Sequence, residues 1–192
     1  MSDAQNFERD WWGNCGNTFH EEQKQLVYAQ LMGLRSIPNV GHPPTYDLKG
    51  RSVVDLGGGP VSLLLKCVNG APALSVVDPC AYPDWVKARY KECGITYFQQ
   101  RAEDFYCSAY DEVWLYNVLQ HVEDPEKVVA MARQARRVVR VFEWVDIPAY
   151  PGHPHELKAD VLAAWFDGSA EWDVYDLDES GAVGRAFAGC FP

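Results

Sequence analysis

A buried-strand pattern that runs into three glycines constrains the fold of this chain more than any other feature of its sequence. Residues 52–56 (Ser-Val-Val-Asp-Leu) have the length and the β-branched content of a strand with both faces covered. They are followed directly by Gly57, Gly58, Gly59 and Pro60. Glycine tolerates a left-handed backbone and lets the main chain approach a ligand closely. The segment therefore predicts a central strand that ends in a ligand-binding turn.

Strand and helix patterns alternate along the rest of the chain. Further strands are predicted at residues 74–77, 95–99, 112–116 and 138–144, and helices at residues 61–68, 84–92, 125–135 and 155–166. Residues 172–177 and 183–188 predict a closing antiparallel pair. Because parallel neighbours need crossover connections, the alternation predicts an α/β fold. Its sheet is expected to be doubly wound, mostly parallel and Rossmann-like, with a closing antiparallel strand and an N-terminal helical extension.

The length of 192 residues predicts a single domain with one core. A stretch rich in proline and glycine at residues 36–50 separates an N-terminal extension (1–50) from the main core (51–166). Residues 167–192 are expected to close the sheet. The chain is thus interpreted as one domain with three consecutive parts.

The N-terminal extension contains a predicted helix and a pair of tryptophans. Thr18 and Glu21 have the spacing of a capping box, which predicts that a helix begins here, and Gly33 is expected to end it. Trp11 and Trp12 precede the helix. They are interpreted either as part of a lid that excludes water from a binding site or as simple packing on the sheet.

The charge balance bears on the kind of partner. The chain has 17 Lys and Arg against 27 Asp and Glu, a formal net charge of −10. Nucleic-acid binding draws most of its affinity from Lys and Arg, so this balance argues against a nucleic-acid partner. A local arginine cluster, formed by Arg133, Arg136, Arg137 and Arg140, is interpreted as the C-terminus of a helix, where cations are favoured.

The sequence also predicts the cellular compartment. No apolar run approaches the roughly 20 residues that span a bilayer, and the first residues lack a signal-peptide pattern. The six cysteines are dispersed and contain no C-x-x-C pair, which favours reduced thiols over a disulfide or zinc framework. We therefore expect a cytoplasmic protein with no membrane segment and no metal site.

A carboxylate follows the second predicted strand, at the same edge of the sheet as the glycine turn. Asp78 lies 78 − 55 = 23 residues after Asp55. In doubly wound sheets, ligands bind outside the carboxyl ends of the strands, and a carboxylate there accepts hydrogen bonds from ribose hydroxyls. The spacing predicts a cofactor that contains a nucleoside.

The glycine turn argues against a dinucleotide. A pyrophosphate favours the pattern G-x-G-x-x-G, whose three glycine positions fall here on Gly57, Gly59 and Ser62. Pro60 also removes one N–H group that a phosphate would use. A cofactor with a ribose but without a pyrophosphate remains.

Four segments in order resemble class I S-adenosylmethionine-dependent methyltransferases of the small-molecule type. Residues 53–60 (Val-Val-Asp-Leu-Gly-Gly-Gly-Pro) closely resemble the first motif of that family, and Asp78 falls at its ribose-binding acid. Residues 102–105 resemble its adenine-contact loop, and residues 116–125 resemble the segment after its fourth strand. The resemblance implies S-adenosyl-L-methionine as cofactor and spans residues 51–166.

The resemblance also implies roles for individual residues. The glycine turn and Asn117 would hold the amino-acid part of the cofactor, and residues 102–104 would flank the adenine. The cofactor-binding residues expected on this basis, with Trp12 added from the lid, are Trp12, Asp55, Gly57, Gly58, Gly59, Asp78, Pro79, Ala102, Glu103, Asp104, Asn117 and Val118. Arg101 departs from the family, since many members have an acid there.

Candidates for catalytic residues lie after the fourth and fifth strands. Transfer of an activated methyl group mainly requires alignment, and a general base is needed only when the acceptor must lose a proton. His121 and His153 are predicted as catalytic, with His155, Glu143 and Asp146 as further candidates. Each also has a structural interpretation: a hydrogen-bonded packing residue for His121, proline-bounded loop residues for the other histidines, and ordinary strand-end residues for the acids.

The acceptor is predicted to be a small molecule that is methylated at oxygen or nitrogen. Nucleic-acid enzymes of this family that methylate amino groups carry an Asp/Asn-Pro-Pro-aromatic run after the fourth strand, and residues 117–120 (Asn-Val-Leu-Gln) lack it. Two alternatives stay open: a cofactor-binding regulatory or scaffold protein without turnover, and a protein or nucleic-acid methyltransferase that needs a partner. A homodimer that completes the pocket is also compatible with the sequence.

Overall fold

The computed structural model describes residues 3–38, 41–167, 171–179 and 181–192. Its helices are α1 (Asp3–Trp12), α2 (Phe19–Leu31), α3 (Asp84–Glu92), α4 (Pro125–Ala132) and α5 (Ala159–Trp165). Its strands are β1 (Ser36–Ile37), β2 (Thr45–Asp47), β3 (Val53–Leu56), β4 (Cys67–Val68), β5 (Leu74–Val77), β6 (Ile95–Phe98), β7 (Glu112–Tyr116), β8 (Val138–Trp144), β9 (Glu171–Glu179) and β10 (Ala182–Phe191).

The main sheet has seven strands in the order β6-β5-β3-β7-β8-β10-β9. Strands β6, β5, β3, β7 and β8 are parallel, while β10 pairs antiparallel with both β8 and β9. The predicted mixed α/β fold with a closing antiparallel pair is confirmed. From β3 the chain goes first to β5 on one side and later to β7 on the other, so the strand order reverses at the carboxyl end of β3. Ligands of such sheets bind at this point.

A small sheet that the sequence did not predict lies beside the main one. Strand β2 pairs antiparallel with β1 and parallel with β4. The predicted helix at residues 61–68 is therefore wrong: Leu63–Lys66 form one 3₁₀ turn, and the chain then extends into β4. The Ser62 hydroxyl starts this turn by accepting a hydrogen bond from the backbone N–H of Leu64 at 3.0 Å.

Two local interpretations are corrected by side-chain contacts. The Thr18 hydroxyl does not cap α2, because it donates to Glu22 Oε1 at 2.8 Å instead. The arginine cluster lies at a helix C-terminus only in part, because α4 ends at Ala132 and Arg133 is its C-cap residue. Arg140 lies in β8, where its Nε donates to Glu112 Oε2 at 2.7 Å.

Buried side chains on both faces of the main sheet hold the helices in place. On one face α2 packs through Tyr28, whose ring stacks on Phe142 with a centroid separation of 4.1 Å. On the other face α4 and α5 pack through Val128, Leu162 and their neighbours. Burying such side chains stabilises the fold by about 1.5–3 kcal/mol each. This packing fixes α2 beside the carboxyl end of β3. Among the described residues, no helix has the length and apolar content that crossing a bilayer requires.

Candidate functional site

A cleft of about 800 Å³ lies at the carboxyl ends of β3, β5 and β7. Most of the residues that the sequence predicted for the cofactor line this cleft: Trp12, Gly57, Gly58, Gly59, Asp78, Pro79, Ala102, Glu103, Asn117 and Val118. Among the predicted cofactor residues, Asp55 and Asp104 do not line it. His121, predicted as catalytic, also lines the cleft, whereas His153 stands behind it.

The turn after β3 requires glycine for two different reasons. Gly57 has φ +74°, a left-handed conformation, and an added Cβ there would overlap Val118 Cγ2. Gly59 has φ +62°, and its added Cβ would come within 4.0 Å of Trp12 and 3.9 Å of the Tyr82 hydroxyl. The turn thus packs against the loop after β7 and leaves an open backbone surface beneath Trp12.

Asp55 supports this turn from below. It is fully buried, and its Oδ2 accepts hydrogen bonds from Ser62 Oγ at 2.5 Å and from the Tyr116 hydroxyl. Its other oxygen, Oδ1, has no hydrogen-bond partner. Burial raises the pKa of Asp55 to about 7. Asp55 therefore positions the turn rather than facing the cleft.

Asp78 presents its carboxylate to the cleft from the end of β5. Its Oδ2 accepts from the backbone N–H of Gly59 at 3.2 Å, and its Oδ1 accepts from the backbone N–H of Cys80 at 2.9 Å. Burial raises its pKa, and these hydrogen bonds oppose the rise. The two N–H groups fix the carboxylate's orientation, and a carboxylate held in this way beside a glycine turn fits a ribose diol.

The segment after β6 forms one wall of the cleft through Ala102 and Glu103. Glu103 Oε1 accepts from the backbone N–H of Glu123 at 2.9 Å and pairs with Arg101 Nη2 at 3.3 Å. Asp104 is turned outward and pairs with Lys127 at 3.2 Å. Arg101, which departs from the family pattern, thus serves as the cation for Glu103.

The loop after β7 is held by a buried acid from β8. Glu143 Oε1 accepts from the backbone N–H groups of Val118 and Leu119, each at 3.0 Å. Burial raises the pKa of Glu143 to about 8. Asn117, at the start of the loop, has φ +53°, and its Oδ1 accepts from Gln120 Nε2 at 2.7 Å. Glu143 therefore acts on the site through the backbone of this loop.

His121 is a neutral imidazole with a defined tautomer. Its Nδ1 lies 2.8 Å from the carbonyl oxygen of Gly152 and 3.2 Å from Glu8 Oε1. Burial, with a contribution from His153, lowers the pKa of His121 to about 3. Because the Gly152 oxygen can only accept, Nδ1 carries the proton.

The other polar candidates lie outside the cleft. The ring of His153 meets that of His121 edge-on at 4.5 Å, and burial lowers the pKa of His153 to about 4. His155 Nε2 lies 2.9 Å from the carbonyl oxygen of Val122 and ties the next segment to the loop after β7. Asp146 pairs with Lys158 at 2.9 Å and Arg185 at 2.8 Å, which is the ordinary strand-end interpretation.

Helices α1 and α2 supply cleft residues that the sequence did not identify. Gln5, Glu8 and Trp12 line the cleft from α1, and Glu21 and Gln25 line it from α2. Burial and the neighbouring carboxylates of Asp78 and Glu21 raise the pKa of Glu8 to about 7. The sequence contains a signal for the α1 residues of the cleft, since positions 5, 8 and 12 fall on one face of a helix.

Comparison with known proteins agrees with this arrangement. Residues 54–141 match the model of a family described as a methyltransferase domain. No curated protein sequence matches the chain. Among solved structures, the N-methyltransferase NodS from Bradyrhizobium japonicum, in complex with S-adenosyl-L-homocysteine, is similar with a TM-score of 0.59 and 14% identity, covering 100% of this chain and 98% of that one.

Two further structures share the fold. The 1,6-didemethyltoxoflavin-N1-methyltransferase from Burkholderia thailandensis has a TM-score of 0.59 and 14% identity, with 97% of this chain and 82% of that chain covered. A chain from the complex of the Haloferax volcanii Trm112 methyltransferase activator with a methyltransferase has a TM-score of 0.63 and 15% identity, with 96% of each chain covered. At these identities the likeness establishes the fold.

Proposed function

We propose that this chain, which contains a class I S-adenosylmethionine-dependent methyltransferase domain, transfers a methyl group to oxygen or nitrogen of a small-molecule acceptor. The chain is an enzyme, and S-adenosylmethionine is its cofactor. When bound, this cofactor supplies a methyl group already activated by a sulfonium. The protein's task is then to hold the acceptor in line and to exclude water, a contribution that can reach about 7–11 kcal/mol.

The observation that carries the proposal is the placement of Asp78 in the cleft beside a glycine turn. In this proposal Asp78 binds the ribose, Ala102 and Glu103 flank the adenine, and Asn117 with the turn of residues 57–59 holds the amino-acid part. Asp104, predicted from the sequence as a cofactor residue, pairs with Lys127 outside the cleft and is assigned no contact with the adenine. Asp55 is assigned a positioning role, because its carboxylate lies beneath the turn.

Calorimetry with S-adenosyl-L-homocysteine tests the cofactor site. We expect micromolar binding by the intact chain and a loss of at least about tenfold, or 1.4 kcal/mol, in the Asp78→Asn variant, because an amide cannot accept both ribose hydrogen bonds. Asp104→Asn is the control, since Asp104 lies outside the cleft. Absence of binding by the intact chain, or equal binding by Asp78→Asn, would contradict the assignment.

The cover that α1 provides over part of the cleft supports a small acceptor over a macromolecular one. Helix α1 of the same chain covers the glycine turn, with Trp12 near Gly59. We interpret residues 1–50 as a lid on a single domain, which excludes water during transfer. His121 stands at the acceptor end in this interpretation, and His153 supports its ring.

Labelled methyl transfer separates this proposal from its alternatives. We expect the isolated chain to methylate components of a metabolite pool. Cofactor binding without any transfer would favour a regulatory or scaffold protein, and transfer that appears only with a second protein would favour a partner-dependent enzyme. The Haloferax volcanii structure is a complex with an activator, which is a reason to measure transfer in the presence of a second protein as well.

We also propose that the enzyme is cytoplasmic. A homodimer is compatible with this proposal, and a sedimentation experiment would test for it.

A further inference from the structure

The charge inside the cleft has one sign. Its described lining residues include the carboxyl groups of Glu8, Glu21, Asp78 and Glu103 but no Lys or Arg. Glu103 is paired with Arg101 at 3.3 Å, and Glu21 has Lys24 at 3.7 Å. Within the described chain, no Lys or Arg lies at ion-pair distance from Glu8. A partly buried carboxylate without a cation favours a ligand that brings positive charge or N–H donors.

Glu8 lies beside His121. The protonated Nδ1 of His121 donates to the Gly152 carbonyl at 2.8 Å and lies 3.2 Å from Glu8 Oε1. Because the imidazole is neutral, it leaves the negative charge on Glu8 uncompensated. The Glu8 carboxylate also accepts a side-chain hydrogen bond from Trp12, and Glu8 lines the cleft together with Asn117.

We propose, on the basis of the methyl transfer proposed above, that Glu8 makes this an enzyme for amine acceptors: its carboxylate binds the acceptor nitrogen and takes the proton that the nitrogen must lose. His121 is then a positioning residue for Glu8. A primary or secondary ammonium gives one N–H proton to Glu8, which leaves a lone pair on nitrogen. That lone pair forms the new N–C bond, and the electron pair of the broken C–S bond goes to sulfur.

The environment of Glu8 suits this role. Burial, Asp78 and Glu21 raise its pKa to about 7, close to the value at which a general base works best near neutral pH. The groups that face it are Trp12 on its own helix, Glu21 on α2, Asp78, Cys80 and Tyr82 after β5, His121 with His153 behind it, and Tyr150 before α5. An acceptor carrying a carboxylate or phosphate at this point would meet only like charge, which disfavours it.

Matched acceptors test the proposal by binding as well as by turnover. The probes are benzylamine, 2-phenylethylamine and 1,4-diaminobutane, each compared with the alcohol of the same skeleton. Calorimetry is carried out on the complex with S-adenosyl-L-homocysteine at pH 8, in two buffers of different ionisation enthalpy. We expect at least one amine to bind about tenfold more tightly than its alcohol, with little net exchange of protons with the buffer, because the ammonium proton passes to Glu8. If no amine is preferred, the proposal is overturned.

Two variants locate the effect at Glu8. In Glu8→Gln we expect the preference for the amine to be lost, while the affinity for S-adenosyl-L-homocysteine changes less than twofold. Asp10→Asn is the matched control, because Asp10 is on the same helix but pairs with Arg9 at the surface. An equal loss of S-adenosyl-L-homocysteine affinity in Glu8→Gln would overturn the proposal, since Glu8 would then serve the cofactor's own ammonium.

The role of His121 is tested through the pKa of Glu8. His121→Phe removes the N–H donor, so we expect the pH at which Glu8 titrates, followed by carboxyl carbon resonances, to rise. An unchanged titration would contradict positioning by His121. If the intact chain does not bind S-adenosyl-L-homocysteine at all, the proposed function fails; if it binds but shows no preference for amines, only this inference fails.

Discussion

Gly57 and Gly94 have almost the same backbone dihedral but different surroundings. Their φ angles are +74° and +72°, and an added Cβ would overlap Val118 at Gly57 but would meet nothing within 4 Å at Gly94. Both Gly→Ala variants incur the strain of a left-handed alanine, of order 1 kcal/mol. Only Gly57→Ala also crowds the loop after β7, which adds about 1–3 kcal/mol. We expect urea unfolding to show this difference, and equal losses in the two variants would contradict the packing of the turn on Val118.

The two aspartates of the site illustrate what residue patterns reveal and what they hide. Asp55 and Asp78 both follow from the strand-end pattern, and the sequence predicted both as cofactor residues. Their surroundings differ because Asp55 lies within a strand whose two faces are covered, where Ser62 and Tyr116 bind it. Tyr116 comes from another strand, so no local pattern contains this contact. Glu8 escaped notice for the same reason, since its partner His121 is distant in sequence.

At the level of elements, prediction succeeded where burial alone determines the structure. Strands β5, β7 and β8 have the bounds that the sequence predicted, because covered parallel strands appear as near-continuous apolar runs. The polar residues that interrupt these runs are Ser75, Glu112, Arg140 and Glu143. The segment at residues 61–68 is equally apolar but is not a helix. Its last two residues pair with β2, and this long-range contact outweighs a local preference that only one turn expresses.

Helix α1 offers a direct comparison between neighbouring side chains. Trp12 lines the cleft and lies near Gly59, while Trp11 is 73% exposed. If α1 acts as a lid, Trp12→Ala removes apolar surface that covers the cofactor site. We expect it to weaken S-adenosyl-L-homocysteine binding about tenfold in calorimetry, with little change in Trp11→Ala. Similar affinities in both variants would show that α1 only packs on the sheet and does not act as a lid.

At the scale of the whole molecule, the net charge of −10 is less informative than the position of a few carboxyl groups. Exposed acids such as Asp10 and Asp176 are solvated and screened. Asp55 and Glu143, by contrast, are buried under the two loops that form the cleft, with no cation at ion-pair distance in the described chain. They link the stability of the fold to the protonation of the site.

This link gives an expected dependence of stability on pH. Burial raises the pKa of Asp55 from 3.8 to about 7 and that of Glu143 from 4.5 to about 8, so the native state keeps protons that the unfolded state has released. Such groups stabilise the fold fully at low pH, and their contribution is lost as the pH rises through the native pKa values. We therefore expect the free energy of unfolding, measured in urea, to fall between pH 6.5 and 8.5, with a limiting slope of about 1.4 kcal/mol per pH unit for each proton.

The choice of pH window separates these two acids from groups that have the opposite effect on stability. Glu8, whose pKa is also raised to about 7, adds to the decline in the same window. His121 and His153, whose pKa values are lowered to about 3 and about 4, make stability rise with pH, but only up to their unfolded pKa of about 6.5. Asp47, Asp111 and Asp146, whose pKa values are lowered, act only in more acidic solution. Repulsion among exposed acids also lowers stability as the pH rises. Salt screens this repulsion, whereas it does not screen the contribution of the buried groups. We therefore expect the decline in the free energy of unfolding to persist in 0.5 M NaCl and to flatten in Asp55→Asn and Glu143→Gln. If the decline vanishes in salt and survives both substitutions, surface charge causes it.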